Sequence, residues 1–212
     1  MQNFCNLDKK GTVIISAGRA GSHLMADMMT IYLQKHSACN NLGEVFFNGT
    51  DIHTTKQLRA QLQTMEVTDS YKIFQVQHFA TQIQILRFAN EMFDDYHVVS
   101  LSRKNLMAQF FGLQILHNFY DITPVHTIKG VPDNFSALHN KKITVSKDSV
   151  YQFLAHLEIV KNCKSDLHIS YEDFVATHDT SVSKYTKNHY PVTPQTLFEN
   201  YQEVEDWLLG ND

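Results

Sequence analysis

The sequence predicts an α/β fold, a three-layer sandwich in which helices cover both faces of a parallel central sheet. Short β-branched runs alternate along the chain with amphipathic segments of about a dozen residues or more, and connections of that length join strands that run in the same direction. A hydrophobic fraction of 43% with 19% charged residues is typical of a globular core. Ligands of such sheets bind beyond the carboxyl ends of the strands, so the loops there are the first candidates for function.

Length and composition exclude several classes of protein. The 212 residues suit one domain over the range 1–212, and three widely spaced cysteines without a CxxC pair favour neither a disulfide framework nor a zinc site. No apolar run reaches the roughly 18 residues of a membrane span, and the N-terminus lacks an export signal, which predicts a cytoplasmic protein with no membrane partner. A net charge of −4 argues against nucleic acid as a partner.

The first strand and helix are predicted from residues 12–32. Residues 12–17 form a β-branched run between Gly11 and Gly18, which is typical of a buried strand that ends in a turn. From Ser22 onward apolar side chains recur at helical spacing, and we expect the Ser22 hydroxyl to cap the first turn. The chain therefore begins with a strand, a tight loop and a helix.

The same alternation predicts the remaining elements. In chain order they are helix 57–65, strand 71–76, helix 81–93, strand 96–101, helix 104–118, helix 149–163, strand 166–171 and a C-terminal amphipathic helix 197–209. Pro124 and Pro132 interrupt the stretch after the predicted helix 104–118. We predict there a lid or acceptor-side excursion over residues 122–146.

The loop after the first strand has the features of an anion site. Gly18 and Gly21 allow a tight turn that brings the amides of the following helix, with its partial positive charge, toward an anion. Arg19 adds a full charge and is one of only four arginines in the chain. The Walker pattern GxxxxGK[ST] is missing because Ser22 and His23 follow Gly21. Taken alone, the glycines fit a plain strand-to-helix turn equally well.

A second basic loop follows the strand 96–101. This strand leads into Ser102, Arg103 and Lys104, which open the next predicted helix. Two basic loops, each between a strand and a helix, favour the binding of an anion over a simple turn.

At this point the sequence resembles the sulfotransferases that use 3′-phosphoadenosine-5′-phosphosulfate (PAPS). Their 5′-phosphosulfate loop has the form (Lys/Arg)-x-Gly-(Ser/Thr)-x-Leu, and the matching residues here are Arg19, Gly21, Ser22 and Leu24. Residues 101–109 are similar to the Arg-Arg-Asp-Lys-x-x-Gln corner that binds the 3′-phosphate in bacterial trehalose-type enzymes. Residues 42–47 are similar to the acceptor-side Gly/Lys-Glu-x-Phe segment of the family, and residues 170–174 to its Tyr-Glu-Asp-Leu strand end.

The chain departs from the family pattern at two places. A serine in the helix after the 3′-phosphate corner is missing, since Phe111 and Gly112 stand at the candidate positions. His23 stands where the family has threonine or serine. The first departure puts one contact to the 3′-phosphate in doubt, and the role of His23 stays open between a sulfate contact and a place in the acceptor cleft.

The resemblance implies a P-loop-NTPase-like sulfotransferase fold and a binding site for PAPS, with no metal. Arg103, with Lys104, would hold the 3′-phosphate, and Arg19 would stabilise the oxygen that bridges sulfur and phosphate. The cofactor-binding residues implied for the 5′-phosphosulfate are Gly18, Arg19, Ala20, Gly21, Ser22, His23 and Leu24. A C-terminal loop covers the nucleotide in family members, and here that region contains Lys184, Lys187 and Tyr190.

Two residues compete for the role of general base. Carbohydrate sulfotransferases use the glutamate of the acceptor-side segment, which corresponds to Glu44, whereas cytosolic small-molecule enzymes use a histidine at a strand end, which corresponds to His78. The acceptor, a carbohydrate or another small alcohol, stays open, and we expect a homodimer. Two other functions are kept: a non-catalytic nucleotide-binding module of the same fold, and a P-loop-like small-molecule kinase.

Overall fold

The computed structural model describes residues 2–35, 38–44, 56–57, 60, 70–76, 89–119, 135–185 and 190–211. The strands in this part of the chain are β1 (Gly11–Ser16), β2 (Cys39–Glu44), β3 (Tyr71–Val76), β4 (His97–Ser102) and β5 (Leu167–Ser170). The helices are α1 (Ser22–Leu33), α2 (Leu106–Asn118), α3 (Lys147–Asn162), α4 (Tyr171–Thr177), α5 (Pro194–Leu197) and α6 (Tyr201–Leu209).

The five described strands form one sheet in the order β2-β3-β1-β4-β5, and every pair of neighbours is parallel. β1 lies at the centre, where Ile14 pairs with Gln75 of β3 on one side and with Val99 of β4 on the other. Because both neighbours are strands and both faces are covered, β1 is buried at every residue. This explains why its sequence is a continuous β-branched run.

Two apolar cores lie on the two faces of the sheet. On one face Val13 and Ile15 of β1 belong to the cluster that contains Phe110 of α2 and Phe153 of α3. On the other face Ile14 belongs to a cluster whose other members include residues of α1 and α4, namely Met25, Met29 and Phe174. Helices therefore cover both faces, and the predicted α/β architecture with a parallel central sheet is confirmed.

The sequence does not predict the edge strand β2. Its residues include Asn40, Asn41 and Gly43, which have low strand propensity. The strand pairs with β3 and has an irregularity between Asn41 and Glu44, where Gly43 has a φ of 68°. Pairing with a neighbour that is distant in sequence, and not local propensity, makes this segment extended.

The predicted cap of the first helix and the predicted end of the last strand differ from the structure. Gly21 takes the cap position of α1 with a φ of 95°, so Ser22 is the first residue of the helix and does not precede it. The strand predicted over 166–171 ends at Ser170, and α4 begins directly at Tyr171. The reason is local, because the Ser170 hydroxyl accepts a hydrogen bond from the Asp173 amide (3.0 Å) and caps the new helix.

Several predictions fall wholly or partly outside the described residues. Of the predicted helix 57–65 only residues 57 and 60 are described, and both are helical, as are residues 89–92 of the predicted helix 81–93. Of the predicted excursion the described part is 135–146, in which Leu138 and Val145 are buried and Ile143 forms a bridge with Phe198. Within the described ranges no helix is long and apolar enough to cross a membrane.

The three cysteines are free thiols. Burial raises the pKa of Cys5 to about 12, with Cys39 adding to the shift, and burial raises the pKa of Cys39 itself to about 11. Cys163 is buried, and burial raises its pKa as well. All three thiols therefore stay protonated at neutral pH, which is typical of unreactive cysteines.

We expect the substitution Gly11→Ala to destabilise the sheet by about 3 kcal/mol, since overpacked sites lose this much. A Cβ at Gly11 would lie 2.1 Å from the backbone oxygen of Lys72, at the point where β1 and β3 pair. Urea unfolding measures the loss. The control is Gly210→Ala, where a Cβ has no atom within 4 Å and only the φ of 73° opposes it, at a cost of about 1 kcal/mol. Equal losses in the two variants would contradict the close approach.

Candidate functional site

The candidate site lies at the carboxyl ends of β1 and β4. These neighbouring strands are followed by helices on opposite faces of the sheet. Met25 of α1 shares a core with Ile14, whereas Phe110 of α2 shares the other core with Val13. Where two adjacent connections leave a parallel sheet toward opposite faces, a crevice opens between the loops, and ligands of doubly wound folds bind there. The two basic loops found in the sequence are the loops that follow these two strands.

The loop between β1 and α1 has an unusual backbone. Arg19 has a φ of 64° and is the one non-glycine residue with positive φ in the described part of the chain. Positive φ is unfavourable for a side chain of this size, and such residues concentrate at functional sites. The first helical hydrogen bond runs from the Met25 amide to the Gly21 oxygen (3.1 Å). The amides before Met25 therefore point out of the helix toward the loop.

The structure brings Arg103 to this loop. Its Nη1 donates to the backbone oxygen of Arg19 at 3.4 Å, and its guanidinium carbon lies 4.5 Å from the centre of the Tyr171 ring. Its Nε lies 3.8 Å from a carboxylate oxygen of Glu172, and only 15% of the side chain is exposed. Three neighbours thus hold the guanidinium in one place, which is the condition for a preorganised anion contact.

Tyr171 joins the two loops physically. Its ring lies directly beside Gly21, where an added Cβ would be 2.3 Å from the Tyr171 Cδ2 atom. The guanidinium of Arg103 lies over the same ring. Only glycine fits at position 21, both because of its positive φ and because of this contact. The sequence does not predict this contact, since neither spacing nor composition indicates which loop a ring at a strand end will meet.

Lys104 pairs with Asp173 of α4. Its Nζ lies 2.6 Å from Oδ1 of Asp173, and the two side chains are 62% and 54% exposed. The backbone amides of Lys104 and Asn105 donate to the carboxylate of Glu172 at 2.9 and 3.4 Å. Of the two basic residues predicted for the 3′-phosphate, Arg103 therefore borders the loop, whereas Lys104 forms a surface ion pair.

The side chain of Arg19 extends over α2. Its Nη2 donates to the hydroxyl of Tyr190 at 2.8 Å, and the Tyr190 ring packs edge-on against Phe111 with centroids 5.5 Å apart. The nearest atom to a Cβ built at Gly112 is Nε of Arg19, at 3.5 Å. The positions at which the sequence lacks the expected serine are thus the ones that lie under Arg19 and Tyr190.

The chain after α4 lies alongside the start of α1. The buried carboxylate of Asp27 accepts hydrogen bonds from the Ser183 hydroxyl (2.6 Å) and from the Lys184 amide (3.0 Å). The ring of His23 packs edge-on against Tyr185 with centroids 5.6 Å apart. With the contact between Arg19 and Tyr190, these bonds attach the described parts of the C-terminal region to the loop and to α1. Lys187 lies outside the described residues.

The other predicted site residues have simpler positions. Ala20 and Ser22 are buried, Gly18 is buried at the end of β1, and Leu24 packs partly buried against the core that contains Met25. Glu44 is the last residue of β2 and its backbone pairs with Gln75 of β3, so the strand end that carries it is two strands away from β1. His78 lies outside the described residues. The choice of the base therefore stays a prediction.

Buried polar atoms without a partner concentrate at this end of the sheet. In the described part of the chain, four buried side-chain atoms have no hydrogen-bond partner: Ser16 Oγ, Arg103 Nε, Gln109 Oε1 and His156 Nε2. Three of them belong to residues at the loop, because Ser16 ends β1, Arg103 bonds to the Arg19 oxygen and Gln109 bonds to the Gly18 oxygen. Such atoms are rare because each costs about 1–3 kcal/mol. Their concentration marks the loop as the candidate site.

Neither a metal site nor a known relative identifies the ligand of this site. Among the residues that the structure describes, no group of three or more His, Cys, Asp or Glu side chains could hold a metal ion. Comparison with family models, with curated proteins and with solved structures found no match to the chain.

The pair of Lys104 and Asp173 makes a prediction about pH. The hydrogen bonds from Lys104 and from Ser170 lower the pKa of Asp173 below its usual value of 3.8. A depressed carboxyl pKa contributes stability above the unfolded pKa, and this contribution is lost as the pH falls through the folded pKa. We expect Asp173→Asn to flatten the fall in stability below pH 4, measured as urea midpoints over a pH series. Lys104→Met, which removes the larger cause, should have the same effect, and an unchanged acid slope in both variants would refute the assignment.

Proposed function

We propose that the chain is a PAPS-dependent sulfotransferase of the P-loop-like fold that acts on a hydroxyl of a carbohydrate or another small alcohol. The observation that carries the proposal is the contact between the two basic loops, in which Arg103 after β4 donates to the backbone of Arg19 after β1. PAPS has two anionic groups, a 5′-phosphosulfate and a 3′-phosphate. Two arginines on loops that contact each other suit such a ligand.

The loop supplies the chemistry for the 5′-phosphosulfate. The amides at the start of α1 and the partial positive charge of its N-terminus would hold the anionic oxygens. In the transfer, the acceptor oxygen forms a bond to sulfur while the bond between sulfur and the bridging phosphate oxygen breaks. The electron pair stays on that oxygen, so negative charge develops there, and Arg19 would stabilise it.

Arg103 would distinguish PAPS from ATP. Its guanidinium is held by Tyr171, by Glu172 and by the Arg19 oxygen, so little conformational entropy remains to be lost when it binds a phosphate. Only a nucleotide with a 3′-phosphate gains this contact. Lys104 contributes a charge nearby, although its side chain bonds to Asp173.

The proton of the acceptor must pass to a base as the new bond forms. Glu44 is the first choice, and it stands at the carboxyl end of β2, on the same edge of the sheet as the loop. His78 is the second. Because carbohydrate sulfotransferases use the glutamate of the segment that residues 42–47 resemble, this choice favours a sugar as acceptor.

A non-catalytic nucleotide-binding module is the second candidate function. The observation in its favour is that Nη2 of Arg19 bonds to Tyr190, directly above the position at which Gly112 replaces the expected serine. A chain that holds its arginine in this way could bind the nucleotide without transferring the sulfuryl group. Binding and turnover must therefore be measured separately.

We expect 3′,5′-bisphosphoadenosine (PAP) to raise the melting temperature, while ATP with magnesium and inorganic sulfate do so much less. A ligand at a hundred times its dissociation constant stabilises the native state by about 2.7 kcal/mol. Arg103→Ala should remove most of the shift by PAP. Lys10→Ala is the control, since Lys10 pairs with Asp95 far from the site. The sulfotransferase proposal fails if PAP shifts nothing in the unaltered chain.

In a transfer assay with PAPS and a panel of hydroxylated acceptors, we expect Arg19→Ala to lower kcat by roughly 100-fold or more, as the loss of a charge-stabilising donor does. Arg103→Ala should mainly raise KM for PAPS, because it removes binding and not charge stabilisation at the reacting oxygen. Glu44→Gln and His78→Asn, compared side by side, identify the base by the loss of kcat. PAP binding without any turnover in the unaltered chain would favour the non-catalytic module.

A further inference from the structure

Gln109 of α2 connects the helix to the loop. Its side chain is 0% exposed, and its Nε2 donates to the backbone oxygen of Gly18 at 2.9 Å and reaches that of Ala17 at 3.5 Å. The sequence indicates Gln109 only as the last residue of the segment 101–109, which resembles the 3′-phosphate corner. The bond crosses from the second turn of α2 to the loop after β1, two segments that are far apart in the chain.

The amide of Gln109 is an unfavourable choice for a purely structural position. Its Oε1 is buried and has no hydrogen-bond partner among the described residues, and its chain neighbours Phe110 and Phe111 belong to the apolar core. A methionine of similar shape would fill the same space without burying an unpartnered oxygen. The bond to Gly18 is what the glutamine adds at this position.

This bond orients the peptide groups of the loop. In a planar trans peptide the carbonyl of one residue and the amide of the next point in opposite directions. Because Gln109 holds the Gly18 oxygen toward α2, the Arg19 amide points away from α2. Arg103 holds the Arg19 oxygen in the same manner, so the Ala20 amide points away from the Arg103 guanidinium.

We propose that Gln109 is a positioning residue that keeps the loop in the strained conformation needed to present its amides to an anion. The strain is the positive φ of Arg19, which the buried bond to the preceding carbonyl stabilises. Insofar as the anion is the phosphosulfate of PAPS, the inference rests on the proposed function. The ordering of the loop itself does not, and it can be tested without a ligand.

The test compares Gln109→Met, Gln109→Glu and the matched control Gln114→Met. Gln114 is a second buried glutamine of α2, and its Oε1 accepts a hydrogen bond from Asn118 of the same helix at 3.2 Å. Two quantities are measured for each variant: amide hydrogen exchange of the peptide that covers residues 17–24 in the ligand-free chain, and the affinity for PAP. Thermal unfolding identifies any variant that has lost its fold.

We expect Gln109→Met to speed exchange in the loop and to weaken PAP by about tenfold, which is the loss expected for one buried hydrogen bond. Its melting temperature should change little, because the substitution removes one unpartnered oxygen, Oε1, and leaves another, that of Gly18. Gln114→Met should change neither the exchange of the loop nor the affinity.

Gln109→Glu keeps the shape and tests the donor. Its carboxylate cannot donate to the Gly18 oxygen and repels an anion, whereas the protonated carboxyl can donate again. Burial raises a carboxyl pKa, so the affinity for PAP relative to the unaltered chain should recover as the pH is lowered from about 8 to about 5.5. This recovery also decides the question if Gln109→Met does not fold.

The inference is overturned if Gln109→Met and Gln114→Met have the same loop exchange and the same affinity, or if the relative affinity of Gln109→Glu does not depend on pH. If the unaltered chain does not bind PAP, the proposed function fails. In that case the exchange of residues 17–24 still decides the role of Gln109, since faster exchange in Gln109→Met alone supports it and equal exchange refutes it.

Discussion

The burial of β1 on all sides is the constraint on which the rest of the structure depends. The strand lies between β3 and β4, and its two faces carry the two cores. A strand in that position needs an apolar centre, which Val13, Ile14 and Ile15 supply. Because β1 is the central strand, the loop after it lies in the middle of the row of carboxyl strand ends, between connections that lead to opposite faces of the sheet.

The loop in that position is held by groups from elsewhere in the chain. Gln109 and Arg103, both from the region after β4, hold two successive backbone oxygens, and the ring of Tyr171 packs against Gly21. Each contact orders a segment whose own backbone, with positive φ at Arg19, is unfavourable. The bond from Arg103 to the Arg19 backbone also places the two arginine-bearing loops side by side, so the order of the loop and its capacity to bind an anion have a common origin.

Much of the fold and part of the site could be predicted from local patterns. The runs 12–17 and 96–101 correspond to β1 and β4 because the middle of a buried parallel strand is apolar, as Val13 to Ile15 and Val98 with Val99 are. The glycines and arginines of the two loops could be found because they stand at the ends of these strands. β2 could not be found, since Asn40, Asn41 and Gly43 have no strand propensity and become extended only by pairing with β3.

The sequence by itself determined the α/β class, the order of the described strands β1, β3, β4 and β5 along the chain, and the two basic loops that carry Arg19 and Arg103. These follow from periodicity and from turn residues, which act over a few neighbouring positions. Only the tertiary structure decided that Arg103 meets the Arg19 backbone while Lys104 pairs with Asp173, that Tyr171 lies against Gly21, and that Gln109 reaches Gly18. Each of these is a contact between segments distant in sequence, and the order of strands in the sheet, which no local pattern encodes, determines which of them can occur.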